Sequence, residues 1–212
     1  MFIALPGLSS AANILVMGDS ISAAYGLEVD QGWPALLQQK LDRQGKGYQV
    51  VNASISGETS AGGSNRIDKE LQRHHPAIVI IELGANDGLR GYPPARMKTN
   101  LQRMIERSRA SGAQILLLGM RIPPNYGRRY TEMFERVYSE LEKEQKIAFV
   151  PFLLDGVAAQ TGMIQHDGLH PNAKAQPLMM ELVWEKLEPM LDQKTGGASA
   201  AASTALPSTP KQ

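Results

Sequence analysis

Short apolar runs recur along this chain, and each is followed by a longer stretch in which apolar residues return every three or four positions. The runs fall at residues 14–17, 48–52, 77–83, 114–118 and 147–151. Ile78-Val79-Ile80-Ile81 and Ile115-Leu116-Leu117-Leu118 are continuous rather than alternating, the pattern of strands covered on both faces. Between the runs, amphipathic spacing predicts helices at 33–43, 61–73, 94–111 and 130–145, with a last one at 173–191. Their ends are punctuated. Pro94 suits a first helical turn, while Gly45 and Gly112 follow helix ends. Pro76 stops the helix that ends at His74-His75, and Pro177 must sit in the first turn of the last helix or bend it.

Strands alternating with helices predict an α/β fold of three layers, with right-handed crossovers placing helices on both faces of a parallel sheet. Five strands fit the flavodoxin-like doubly wound order 2-1-3-4-5, and they are too few for a barrel of repeated strand–helix units. In that order the ligand crevice lies outside the carboxyl ends of the strands, at the switch between strands 1 and 3.

Composition narrows the class. The 212 residues suffice for one domain, expected at 13–192. Lys and Arg number 22 against 21 Asp and Glu, a net charge of +1, which carries no footprint for nucleic acid. The absence of cysteine excludes disulfides and thiolate metal sites. No apolar segment is long enough to span a bilayer. Residues 1–12 read as a shortened signal peptide. Small residues at Ser10 and Ala12 suit cleavage before Asn13, although no Lys or Arg precedes the apolar stretch. A periplasmic or secreted protein is therefore expected. Residues 193–212, rich in Ala, Ser, Thr and Pro, are expected to be disordered.

The unusual residues fall where the crevice should be. Gly18-Asp19-Ser20-Ile21-Ser22 follows strand 1, Gly57 follows strand 2 and Asn86 follows strand 3. Asp167-Gly168-Leu169-His170-Pro171 follows the last strand. A serine hydroxyl becomes a nucleophile only when a base takes its proton and a third group orients that base. Ser20, His170 and Asp167 offer those three parts. Taken singly, Gly-Asp-Ser is commonly a turn or helix cap, Asp-Gly commonly a turn, and an Asn after a strand commonly a cap. Four such blocks in order at strand ends favour catalysis.

These four blocks resemble those of the SGNH (GDSL) hydrolase superfamily: Gly18-Asp19-Ser20-Ile21-Ser22, Gly57 in Ser54-Ile55-Ser56-Gly57-Glu58-Thr59, Gly84-Ala85-Asn86-Asp87, and Asp167-Gly168-Leu169-His170. Ile21 stands where leucine is usual. The stretches Glu82 to Gly91 and Pro123 to Tyr130 further resemble the bacterial group of multifunctional thioesterase, protease, lysophospholipase and arylesterase enzymes, usually periplasmic. The resemblance implies Ser20 as nucleophile, His170 as general base and then acid, and Asp167 as the residue that orients His170. It implies an oxyanion hole made by the Ser20 and Gly57 N–H groups and the Asn86 amide. Both donor types suit the task, since Gly57 allows close backbone approach and an Asn amide is a neutral donor.

Two further segments should border the site. Gly88-Leu89-Arg90-Gly91-Tyr92-Pro93 reads as a loop with room to move, and Arg121-Ile122-Pro123-Pro124-Asn125-Tyr126 offers apolar surface. Leu89, Arg90, Ile122, Pro123 and Tyr126 are the candidate substrate-binding residues. Asp19 and Asp87 read as local braces. His166, Asp167 and His170 do not make a metal site, because Gly168 and Pro171 disfavour the helix that would face two histidines together. Met179-Met180 and Trp184 read as core filling, and Arg128-Arg129 as a solvated face. The expectation is a cofactor-free, monomeric serine esterase of small acyl esters or lipids. The alternatives are a carbohydrate O-acetylesterase of the same superfamily, or a non-catalytic binding module, which should lack a member of the triad.

Overall fold

The computed structural model describes residues 11–191. The expected tail, and the expected leader apart from Ala11 and Ala12, lie outside the described residues. Five strands form one parallel sheet: β1 (Ala12–Gly18), β2 (Tyr48–Asn52), β3 (Ile78–Glu82), β4 (Gln114–Leu118) and β5 (Ala148–Val150). Their order is β2-β1-β3-β4-β5, the doubly wound arrangement read from the sequence. Ala12 already belongs to the sheet, its N–H donating to Gly47 O at 3.2 Å.

The continuous apolar runs behave as expected of strands with no solvent face. All five residues of β3 are buried, as are the last five of β1 and the last four of β4. Helices α1 (Trp33–Arg43) and α6 (Gln176–Leu191) pack together on one face. Helices α2 (Ser60–His74), α4 (Pro94–Ala110) and α5 (Arg128–Gln145) cover the other. Helix α1 turns Trp33, Leu37 and Leu41 inward at four-residue spacing, and α4 does likewise with Met97, Leu101, Met104 and Ile105.

Several boundaries moved by one to three residues, each for a local reason. Helix α2 begins at Ser60 because Thr59 caps it, its hydroxyl accepting the Gly62 N–H, and it ends where His75 turns left-handed ahead of Pro76. Helix α6 starts at Gln176, so Pro177 falls in the first turn, where its missing N–H costs nothing. Met179, Met180 and Trp184 are buried on its inner side. One α-helix was not foreseen. A short helix, α3 (Ala85–Leu89), occupies the start of what reads as a mobile loop.

Strands β1 and β3 pair in register from Ile14 with Ile78 to Gly18 with Glu82. Beyond that last pair the two chains depart in different directions, and the crevice opens there.

Ile80 is fully buried at the centre of the sheet. Ile80→Ala is expected to lower the unfolding free energy by about 2–5 kcal/mol. The measurement is a urea midpoint shift at unchanged slope; a loss under about 0.5 kcal/mol would contradict this packing.

Candidate active site

Ser20 lies in the turn that leaves β1. The turn is wound by Ala23 N–H on Asp19 O at 2.9 Å and Tyr25 N–H on Ser20 O at 3.0 Å. Across the crevice, the loop before α6 carries Asp167 and His170. Here Asp167 shapes its own turn, Oδ1 accepting the Leu169 and His170 N–H groups at 2.9 and 3.0 Å. Its Oδ2 lies 2.6 Å from His170 Nδ1. With a carboxylate at that distance Nδ1 must carry the proton, which leaves Nε2 bare. Nε2 is 2.9 Å from Ser20 Oγ. Residues 150 positions apart thus form one continuous chain of hydrogen bonds.

Asp167 is held well below its ordinary range, to about 2, by the His170 backbone N–H first, then the His170 ring and the Leu169 N–H. It is the fixed negative end of the chain. The His170 ring also lies against Tyr25, with centroids 4.5 Å apart.

The two loops are clamped by a residue that sequence reading passed over. Gln165 Nε2 donates to Tyr25 O at 2.8 Å on the serine side and to Pro171 O at 3.0 Å on the histidine side. Its backbone N–H holds His170 O at 2.7 Å.

The donors face the same space. Gly57 has φ +79°, a left-handed conformation that a side chain would strain. Among the described residues, neither its N–H nor that of Ser20 is taken by a hydrogen bond. Asn86 sits on α3, whose entry needs Gly84 at φ +122°, with the Tyr138 hydroxyl where a Cβ would stand. One Asn86 N–H donates to Asp19 Oδ2 at 3.0 Å, and the other remains free. Next to it, Asp87 accepts the Ser60 N–H at 2.7 Å and the Ser60 hydroxyl at 2.6 Å, a carboxylate at the N-terminus of α2.

A cleft of about 200 Å³ opens on these groups. Leu89, Ile122 and Pro123 line it with Ser20, Gly57, Asn86 and His170, as do Ile21, Tyr25, Met120, Leu154 and Leu169. Arg90 and Tyr126, the other two candidates, are not among the residues that line it. Arg90 Nη2 donates to Gly57 O at 2.9 Å, bracing the loop from behind, and Tyr126 Oη donates to Leu89 O at 2.8 Å. Both long polar side chains have found backbone carbonyls of the wall instead of the space inside it. The segment foreseen as mobile is tied down further by Tyr130 Oη on Tyr92 O at 2.7 Å. His166 is exposed and takes no part in the hydrogen-bonded chain.

A serine, imidazole and carboxylate in line, beside amide donors on a doubly wound sheet, define a serine hydrolase. Residues 16–177 match the family model of the GDSL-like lipase/acylhydrolases. The chain belongs to that family, the SGNH hydrolases, and is a carboxylic ester hydrolase. It is 54% identical to esterase TesA of Pseudomonas aeruginosa, over 86% of this chain and 91% of that one. It is 42% identical to the arylesterase of Vibrio mimicus, over 88% and 94%. Against the thioesterase 1/protease 1/lysophospholipase L1 of Escherichia coli, identity is 40% over 87% of each. The crystal structure of TesA superposes with a TM-score of 0.82, covering 84% of this chain and 99% of that one. The esterase EstA of a Pseudoalteromonas species, inhibited by monoethylphosphonate, gives 0.81 at 42% identity, over 84% and 98%.

The Asp167 carboxyl is expected to keep its charge to about pH 2 in a side-chain NMR titration. Its folded value lies below the ordinary 3.8, so its contribution to stability is present above that pH and is lost as pH falls toward 2. A midpoint near 4 would contradict the hydrogen bonding described above.

Proposed function

We propose that the enzyme hydrolyses acyl esters, and acyl thioesters of similar shape, through a covalent acyl-Ser20 intermediate. The observation that carries this reading is the Asp167–His170–Ser20 chain opening on a cleft with apolar walls. Ser20 Oγ attacks the carbonyl carbon while His170 Nε2 takes its proton. The carbonyl oxygen gains the negative charge, and the Ser20 and Gly57 N–H groups and the free Asn86 N–H stabilise it. His170 then returns the proton to the leaving alcohol or thiol. Water repeats the sequence to release the acid.

Ile21, Leu89, Met120, Ile122, Pro123 and Leu154 favour an acyl chain over a sugar ring, because they offer no partners for hydroxyl groups. That argues against the carbohydrate O-acetylesterase alternative. The relatives' names, esterase, arylesterase and thioesterase 1/protease 1/lysophospholipase L1, support the breadth proposed. The inhibition of EstA by a phosphonate supports the serine route, since a tetrahedral phosphonate mimics the intermediate. We further propose an exported monomer, on the cleavage-like pattern before Asn13 and on a site completed within one chain.

Ser20→Ala is expected to abolish turnover of p-nitrophenyl esters and labelling by a fluorophosphonate, with the circular dichroism spectrum unchanged. Residual catalysis over water, from the donors and binding, should not exceed ~10³–10⁴-fold. Retained turnover would end the assignment. Asn86→Ala is expected to lower kcat by ~10²–10³-fold at nearly constant KM; an effect on KM alone would make Asn86 a substrate contact. Across a series of acyl lengths, activity is expected to persist beyond acetyl, whereas strict acetyl specificity would favour the sugar esterase.

A further inference from the structure

Asp19 in the wall of the cleft and Glu82 behind it form a pair of buried carboxyl groups that the reaction just described does not use directly. Glu82 ends β3 fully buried, and Asp19 beside Ser20 is 1% exposed. Glu82 Oε2 accepts the Ser22 hydroxyl at 2.7 Å and the Asp19 N–H at 3.3 Å. Ser22 Oγ in turn accepts Trp33 Nε1–H at 3.2 Å, which anchors the group to α1. Glu82 Oε1 is buried with no partner. Asp19 has both oxygens engaged as acceptors, Oδ1 by the Ile21 N–H at 3.1 Å and Oδ2 by Asn86 Nδ2 at 3.0 Å.

Two adjacent carboxylates in a dry interior do not both ionise without a large penalty. Asp19 accepts on both oxygens and is the natural carboxylate. Glu82 has one oxygen that meets no donor, and that oxygen is the natural seat of a proton. We propose that Glu82 is a positioning residue, kept as a neutral acid, which holds Asp19 by its backbone N–H and so places the carboxylate that orients the Asn86 amide at the oxyanion hole. The proposal rests on the reading of Asn86 as an oxyanion donor.

The electrostatics agree. Burial and then the charge of Asp19 push Glu82 well above the usual carboxyl range, and burial raises Asp19 to about 6. The other titratable neighbours leave that assignment in place. His170 across the cleft favours the charged form of Asp19, Tyr138 on α5 is itself pushed up, by burial first and then by these carboxyls, and Asp87 is engaged by Ser60.

The test is steady-state kinetics on the whole chain with an ester substrate. Glu82→Leu fills the space without either oxygen and is expected to lower kcat about tenfold with KM within about twofold. Glu82→Gln, neutral and of the same shape, is expected to recover kcat to within about threefold of wild type. In an Asn86→Ala background, Glu82→Leu should cost less than about twofold more, because the residues act as one unit. Should Glu82→Leu fail to fold, Asp19→Asn takes its place in the cycle, with the same loss and the same non-additivity expected. Equal kcat for the Leu and Gln variants, or full additivity with Asn86→Ala, would overturn the proposal. Wild-type kcat in Asn86→Ala alone would instead remove the oxyanion reading on which it rests.

Discussion

The pairing of Gly18 with Glu82 at the carboxyl ends of β1 and β3 is the constraint on which the site depends. It brings two segments, 64 residues apart in the numbering, out of the sheet side by side. One turns back with Ser20 at its head; the other passes through Gly84 into the helix that carries Asn86. Because the strands beneath are buried on both faces, a slip in register would cost much of the core as well as the site. Nucleophile and amide are therefore held by the stiffest part of the molecule.

The base and its carboxylate are held differently. Asp167 and His170 lie on a partly exposed loop, positioned by an Asp167 turn, by Gln165 and by the Tyr25 ring. A rigid half and a loop-borne half suit the chemistry, since the imidazole must serve first the serine, then the leaving group, then water.

Much of this was legible in the sequence for reasons that differ between elements. The continuous runs in β3 and β4 read as buried strands, alternation with helices makes their pairing parallel, and five strands fit the doubly wound order observed. Ser20, Asp167 and His170 were legible because their blocks follow strands at the carboxyl edge of the sheet and resemble those of the SGNH superfamily, while the three-residue spacing of Asp167 and His170 lets one loop carry both. Glu82 was not. Read within an apolar run it is an isolated charge at a strand end, and only the pairing with Gly18 reveals that its carboxyl faces inward. Helix α3 was obscured by Gly88, whose low helix propensity is overridden where the chain has no room for a Cβ against Ile122 and Phe134. Gln165 and Tyr25 carry no motif of their own, and only the folded chain brings near the carbonyls that Gln165 reaches and the His170 ring that Tyr25 meets. Arg90 and Tyr126 lie in the segments that border the cleft but point at its wall, a distinction of side-chain direction that sequence spacing cannot express.

The connectivity of the active site sets an order of events. Its last parts, Asp167 and His170, enter the chain after every strand, and the Ser20–His170 contact closes a loop of 150 positions. A contact of that span carries a larger closure entropy than the strand pairings beneath it. The sheet can therefore form while the serine still lacks its base. In refolding, recovered hydrolysis therefore reports the docking of that loop rather than the formation of the sheet.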